Sequence, residues 1–600
     1  MKKEIAIFLS FILLIAAFTY PLATNINSYV PGFSSTDEVY ALINYSWLNK
    51  YSWQHQLPLN RSFMLAYPSG INLYTPGFVP FFWIGIIYLL SIATSPAITY
   101  NIQVLTNLFL SAAFTYLLIL FLSKKRFSAF LGSLIFAFCP YQFSRIWQHL
   151  GLTFNQWIPL CLLAALLLKY RKSKKYAFLF LASLLLLFSF DYSIIYFSLV
   201  GLATLLFYSI LFNWKKKFSE GRGMFREDLR YLKKIVLLGA VSFLILLPQI
   251  MPIIKNRLGF SVKTDPSPFN LFHRQFNDLF SQAARPLSYF LPSISHPVFG
   301  SFTENFIGSS LYGKSLTEHA LYLGWTPLFL AFFALRSWRK RRKSWGPEYQ
   351  GTEENFYIGF SLLLLITAWL FSQPPWWKIG PVKIFMPSFF MYKLLPMYRA
   401  YCRFGILVML AVAMLAGFGS KFILEKLKRK RDRILAASLF TFAVLFEFWN
   451  WPPYKVIDIS AAPSAYDWLK AQPEELVVAE YPLDDDSPNE MYKYYQTKHE
   501  KKLINGSTPG TYANQVAKTL KKLSLPETAE KLKTMGVKYA IVHRDDYGIT
   551  GLIEQLEELN KIPLNPRLKL VTSFPEEACP RSDIMCVRKS GPIDVYEIIP

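Results

Sequence analysis

Long apolar runs separated by short basic clusters constrain this chain more than any other feature. The clusters KKR at 124–126, RKSKK at 171–175, KKK at 215–217, RKRRK at 339–343 and KLKRKRDR at 426–433 each sit between two such runs. About 20 apolar residues span the hydrocarbon core of a bilayer, and an excess of Lys and Arg in short loops marks the cytoplasmic side. The formal charge of +25 over 600 residues also invites a nucleic-acid reading, because basic clusters pair with phosphate backbones. Confinement of the clusters to short loops makes them topogenic instead, and nucleic acid is not an expected partner. With 53% hydrophobic residues, the class is a polytopic α-helical membrane protein.

Holding every basic cluster inside gives one consistent path. Segment 4–23 leads out from Met1-Lys2-Lys3 as a retained signal-anchor, since no convincing small-residue cleavage site follows it. Residues 24–75 form a first outer loop. The proline-bounded run 76–95 is read as an interfacial or re-entrant helix, because a full crossing there would put KKR outside. Crossings follow at 100–122, 127–140, 156–170, 176–190, 193–213, 235–254, 319–337, 355–372, 403–422 and 434–450, eleven in all with the first. Loops 141–155 and 255–318 and the amphipathic stretch 373–402 fall outside. The expected location is a multi-pass cell-membrane protein, with the N-terminus cytoplasmic and the C-terminal domain extracytoplasmic.

Composition changes near 453, giving an expected membrane domain at 1–452 and an extracytoplasmic α/β domain at 453–600. Short β-type runs, VVAEYP (477–482), KYAIVH (538–543), LKLVTSF (568–574) and VYEII (595–599), alternate there with helical stretches at 526–535 and 549–560. Five cysteines are too few for a disulfide framework. Cys139, Cys161 and Cys402 read as packing residues. Cys579 and Cys586 stand outside, as a disulfide or as two buried thiols.

The sharpest motif is Ser34-Ser35-Thr36-Asp37-Glu38 in the first outer loop. A carboxylate at the membrane surface can take a proton from an attacking hydroxyl, and Glu38 can share that task or hold a divalent cation. The same residues are good helix-start chemistry, and the two readings are compatible, since a helix N-terminus favours an ionised carboxylate. Arg399 and Arg403 are spaced to share one helical face, either clamping a lipid phosphate or snorkelling to headgroups. Loop 255–318 offers His273, Arg274, Asp278, Arg285, Glu304, Lys314, Glu318 and His319, without a diagnostic spacing, so loop surface is their default. Asp191 reads as a turn residue and Asp484-Asp485-Asp486 as a solvated loop. No P-loop, HExxH, CxxC or GxSxG stands on a suitable frame, so nucleotide-sugar or ATP use is not supported.

Several of these features together resemble the GT-C superfamily of polytopic glycosyltransferases, which use polyprenyl-phosphate sugars and include protein O-mannosyltransferases and aminoarabinose transferases. The likeness covers roughly 1–450 and rests on four features. They are the Asp37-Glu38 pair, the Tyr67-Pro68-Ser69-Gly70 turn before a proline-bounded helix, Pro140-Tyr141-Gln142-Phe143-Ser144-Arg145 running on to His149, and residues 396–404 leading into a small-residue crossing. The resemblance implies Asp37 as catalytic base with Glu38 beside it, and Tyr67, Arg145, His149, Arg399 and Arg403 as substrate-binding candidates. Members often carry an acidic residue in the second outer loop, where this chain has Arg145 and His149. A divalent cation is the cofactor class that follows, with Glu38, His149 and Glu304 as its candidate ligands. The implied function is inverting transfer of a sugar from a polyprenyl-phosphate carrier to an acceptor at the outer face. Alternatives are a lipid or glycan transporter, disfavoured by nearly charge-free crossings, and a non-catalytic scaffold with a glycan- or partner-binding outer domain.

Overall fold

A computed structural model describes residues 2–32, 37–58, 60–73, 81–171, 173–189, 192–212, 222–257, 274–344, 352–450, 455–483, 487–507, 512–548, 553–579, 585–587 and 589–600. At Asp37 and some other helix ends the backbone alone is described. His273, Asp191 and the 484–486 run lie outside the described residues.

Among the described residues, six helices are long and apolar enough to cross a membrane: Pro96–Ser123, Leu150–Tyr170, Ser193–Leu211, Glu227–Pro248, Glu353–Ser372 and Tyr401–Lys426. Helices Arg126–Ala137 and Pro140–Ile146, bent by 42° at the break between them, make a seventh if they count as one span. The chain is thus built as a multi-pass membrane protein. Other runs expected to cross are helical but fall short on one ground or another. Lys2–Phe18 has 17 residues and Lys174–Leu187 has 14, while Trp325–Ser344 and Lys430–Glu447 carry several basic residues. The expectation of eleven crossings therefore stands at six or seven among the described residues, by length and composition. Helix Phe81–Ala93, with 13 residues, reaches only about 20 Å at 1.5 Å per residue.

The centre of the bundle is helix Gly405–Lys426, buried continuously from Gly405 to Ser420. A helix apolar all round belongs in an interior, and its small residues let neighbouring backbones come close. A Cβ at Gly419 would overlap the Leu330 carbonyl, and one at Gly132 would stand 3.0 Å from the Ala413 carbonyl oxygen. Helix Arg222–Arg257 has the opposite character, with Val236, Leu237 and Leu244 all more than 60% exposed, as a lipid-facing stripe would be.

Residues 477–598 contain a five-stranded mixed sheet in the order Leu568–Phe574, Ile593–Ile598, Val537–His543, Val477–Tyr481, Lys502–Leu503. Its Val477–Tyr481 strand, fourth in that order, is buried at every position, Glu480 included, as in a sheet covered on both faces. The loop after the first helix is bound to residues 455–600 by backbone pairing. Tyr29–Pro31 lies antiparallel to Val456–Asp458, and Met585–Cys586 lies parallel to it on the other side. Cys586 is joined to Cys579 by a disulfide. Farther along the loop, Ala66 N–H donates to Asn505 O at 2.8 Å and Tyr67 N–H to Leu503 O at 3.0 Å.

Candidate functional site

The helix Asp37–Gln54 places two carboxylate residues in its first turn, where unpaired N–H groups and the helix dipole favour negative charge. Asp37 is the first helical residue, and its side chain lies outside the described atoms. Glu38 is half-buried, and its Oε2 lies 2.8 Å from His149 Nδ1. That contact joins the first loop to the second.

The segment 141–155, expected as a loop, is largely helical and buried. Pro140 opens a new helix, Pro140–Ile146, every residue of which is buried. Proline suits this first helical position because its missing N–H would be unpaired there anyway. The helix carries Arg145 into the interior with no exposed surface, its guanidinium 4.7 Å from the centre of the Tyr141 ring. Arg145 Nη2 donates to Glu318 Oε2 at 2.9 Å. Arg403 reaches the same carboxylate through Nε, at 3.0 and 3.2 Å to its two oxygens, and through Nη2 at 2.5 Å. Cys402 donates its thiol to Glu318 Oε2 at 3.3 Å, and His149 Nε2 stands 3.8 Å from Oε1. Glu318 is the hub of this cluster. Burial pushes its carboxyl up, but Arg145 and Arg403 outweigh that and, with His149, hold it well below the ordinary carboxylate value.

Arg399 and Arg403 do not share a helical face. The chain passes from Arg399 into a 3₁₀ turn, Tyr401–Phe404, before the central helix begins, so the i,i+4 relation fails. Arg403 turns inward to Glu318, whereas Arg399 turns out, with Nη1 3.3 Å from Asp278 Oδ2 and its side chain 45% exposed. Arg274 lies close by. Burial, and then repulsion from Arg399, lower its pKa, with Asp278 acting the other way. Tyr67 packs on the terminal sheet's core, with Lys502 Nζ 5.6 Å from its ring centre. Glu304 is exposed at the end of the short helix Gly300–Glu304.

Glu38 and His149 bring two donors for a cation, but they are hydrogen-bonded to each other, and Glu318, the described carboxylate on the far side of His149, is already neutralised by two guanidiniums. Among the described residues no three His, Cys, Asp or Glu side chains converge as a ligand set. The described donor set therefore does not fit a divalent ion.

Two clefts flank the cluster's elements. One, of about 450 Å³, has Glu38 at its wall and lies between helix Asp37–Gln54 and helix Ser487–His499 of the terminal region. The other, of about 700 Å³, is almost wholly apolar, lined by Tyr289, Leu323, Leu365, Trp369 and Trp377 with Arg285 at its wall. Glu318 was the residue that sequence reasoning missed, taken as loop surface. The signal available was a carboxylate directly before an apolar run, at a depth where a charge needs a partner.

No family model and no curated protein sequence matches this chain. Solved structures resemble it in fold. The mycobacterial arabinofuranosyltransferase AftD superposes with a TM-score of 0.50 at 13% identity, over 100% of this chain and 40% of that one, so this chain spans two fifths of that enzyme's length. The Archaeoglobus fulgidus oligosaccharyltransferase AglB, solved with an inhibitory peptide and a dolichol-phosphate, gives 0.52 at 12% identity over 98% of this chain and 88% of that one. ArnT from Cupriavidus metallidurans, bound to undecaprenyl phosphate, gives 0.47 at 10% identity over 99% and 98% of the two chains. The likeness to AftD and AglB is one of fold, and both of those neighbours are GT-C glycosyltransferases.

Proposed function

We propose that the protein is a membrane glycosyltransferase that moves a sugar from a polyprenyl-phosphate carrier to an acceptor hydroxyl at the outer membrane face. The observation that carries this reading is the chain of contacts Glu38–His149–Glu318–Arg403, which fixes an acidic helix start at the mouth of a cleft within a GT-C fold.

In the proposed reaction Asp37 takes the acceptor's proton as the acceptor oxygen attacks the anomeric carbon. The bond from that carbon to the phosphate oxygen breaks, and the polyprenyl phosphate leaves with its electron pair, inverting the centre. Glu38, tied to His149, keeps the helix start in register. Arg399, with Arg274 beside it, meets the leaving phosphate, where fixed positive charge stabilises the developing anion. The apolar 700 Å³ cleft suits a prenyl tail. No step is assigned to a divalent ion. The N-terminus is assigned to the cytoplasm and residues 453–600 to an extracytoplasmic domain that stands over the site.

Lipid mass spectrometry of gently purified protein is expected to find a polyprenyl phosphate. With a polyprenyl-phosphate sugar supplied in proteoliposomes, Asp37→Asn is expected to lower transfer by at least about 10²-fold, the usual weight of a general base, with folding intact. Undiminished turnover by that variant would remove Asp37 from the reaction.

A further inference from the structure

We infer that the 450 Å³ cleft beside Glu38 is a saccharide subsite, so that the acceptor is a glycan gripped by Asn489 and Glu490 of the terminal region. The inference rests on the transfer reading above and names the acceptor class for it.

The cleft has fixed walls. Asn44, on the first-loop helix, donates through Nδ2 to Lys493 O at 2.5 Å and to Gln496 Oε1 at 3.2 Å, locking that helix to Ser487–His499. The volume lies in the range of small-ligand sites, about 300–1,000 Å³.

Its polar chemistry is unfinished. Asn489 is only 6% exposed; its Oδ1 accepts from Asn505 Nδ2 at 2.8 Å, while its own Nδ2 has no partner among the described residues. Next to it, Glu490 Oε1 pairs with Lys493 Nζ at 2.5 Å, but its buried Oε2 has no partner among the described residues. A spare amide donor beside a spare carboxylate acceptor matches vicinal hydroxyls, each of which can accept one hydrogen bond and donate another. Leaving such groups buried and unmatched is unfavourable, and a sugar diol would satisfy both.

The facing wall is aromatic. Trp83 gives its Nε1 proton to Gln103 at 2.8 Å, and Tyr45 gives its hydroxyl proton to Leu73 O at 2.9 Å. Both rings line the cleft with their polar tips engaged elsewhere, which leaves apolar surface for the C–H face of a pyranose or furanose ring. Glu38 is on the same wall, so a sugar seated there brings a hydroxyl to the residue beside Asp37.

The test is saturation-transfer NMR on the full-length protein in nanodiscs. The probes are neutral di- and trisaccharides of glucose, galactose, mannose, rhamnose and arabinose, with a set of hydroxyl-bearing peptides for comparison. At least one saccharide is expected to bind the wild type, to bind Asn489→Ala and Glu490→Gln at least tenfold more weakly, and to be excluded by Ala41→Trp, which fills the cleft from the other wall. Variants are compared when they elute and melt like the wild type. Binding by peptides alone, no saccharide binding at all, or equal saccharide binding by all three cleft variants would overturn the inference. Saccharide binding that depends on Asn489, in a protein that transfers nothing, would sink the transfer reading and leave the subsite standing. Transfer to a non-glycan acceptor, unaffected by Asn489→Ala, would do the reverse.

Discussion

His149 Nδ1 lies 2.8 Å from Glu38 Oε2 across 111 residues of sequence, and its other ring nitrogen stands 3.8 Å from Glu318 Oε1. One imidazole thus spans the gap between the first-loop helix and the buried ion-pair cluster. His149→Ala is expected to lower transfer about 10²-fold, the cost of misplacing a reacting group by roughly an ångström. The loss should fall on kcat rather than KM, because His149 acts through Glu38. The pair is partly exposed, so thermal stability should move by no more than about 1 kcal/mol. His149→Gln, which keeps one hydrogen bond, should recover part of the rate. Wild-type kcat in both variants would remove His149 from the positioning of Glu38.

Glu318 neutralises two guanidiniums at once, one of them wholly buried. Removing one member of a buried ionic cluster typically destabilises by about 3–5 kcal/mol, because the remaining charge is left uncompensated. Glu318→Gln is therefore expected to lower the thermal unfolding midpoint markedly at pH 7. Its carboxyl is held well below 4.5 in the folded protein, so its stabilisation is complete above that value and fades as pH falls beneath it. The wild-type midpoint should drop more steeply below pH 4.5 than that of Glu318→Gln. Parallel pH profiles for the two proteins would refute the role given to this carboxylate.

Local signals carried the bundle. Apolar length placed the runs that became helices, and the short β-type runs read at 477–482 and 538–543 stand as strands Val477–Tyr481 and Val537–His543. The cluster was hidden because its members pair across long distances: Arg403 and Glu318 are 85 residues apart, and Arg145 and Glu318 are 173 apart. A polar residue next to an apolar run gives no sign of whether it turns to water or to an opposite charge. The shared face assumed for Arg399 and Arg403 failed for a local reason, since helical spacing has no meaning across a 3₁₀ turn. Tyr67 looked like part of a surface turn, and only the pairing of its backbone with Leu503 shows it as a joint between the first loop and the terminal region.

The terminal region carries an acid-sensitive group of its own. His499 is fully buried with its Nδ1 accepting from Lys501 N–H at 3.0 Å. Burial lowers its pKa to about 3, with the Lys501 charge adding to the effect. A depressed imidazole stabilises the fold fully above its ordinary value of 6.5 and loses that contribution as pH falls toward 3. Each pH unit in that window corresponds to about 1.4 kcal/mol for one such group. Between pH 7 and pH 5 the unfolding midpoint of the wild type should fall further than that of His499→Gln. Equal falls would show that His499 takes up its proton as readily in the fold as outside it.

The orientation of the whole molecule hangs on the KKR cluster after helix Pro96–Ser123, because assigning it to the cytoplasm is what makes Phe81–Ala93 a non-crossing helix. Single-cysteine labelling can decide this with little background: Cys139, Cys161 and Cys402 are buried, and Cys579 and Cys586 are joined to each other. Lys124→Cys replaces an exposed residue just past the helix end and should react with an impermeant maleimide only after the membrane is opened. Tyr512→Cys, at a position 67% exposed in the terminal region, should react in intact cells. Labelling of both sites in intact cells would put KKR and the terminal region on the same side. Phe81–Ala93 and its preceding residues would then have to cross, and the cleft beside Glu38 would need a different route for its substrates.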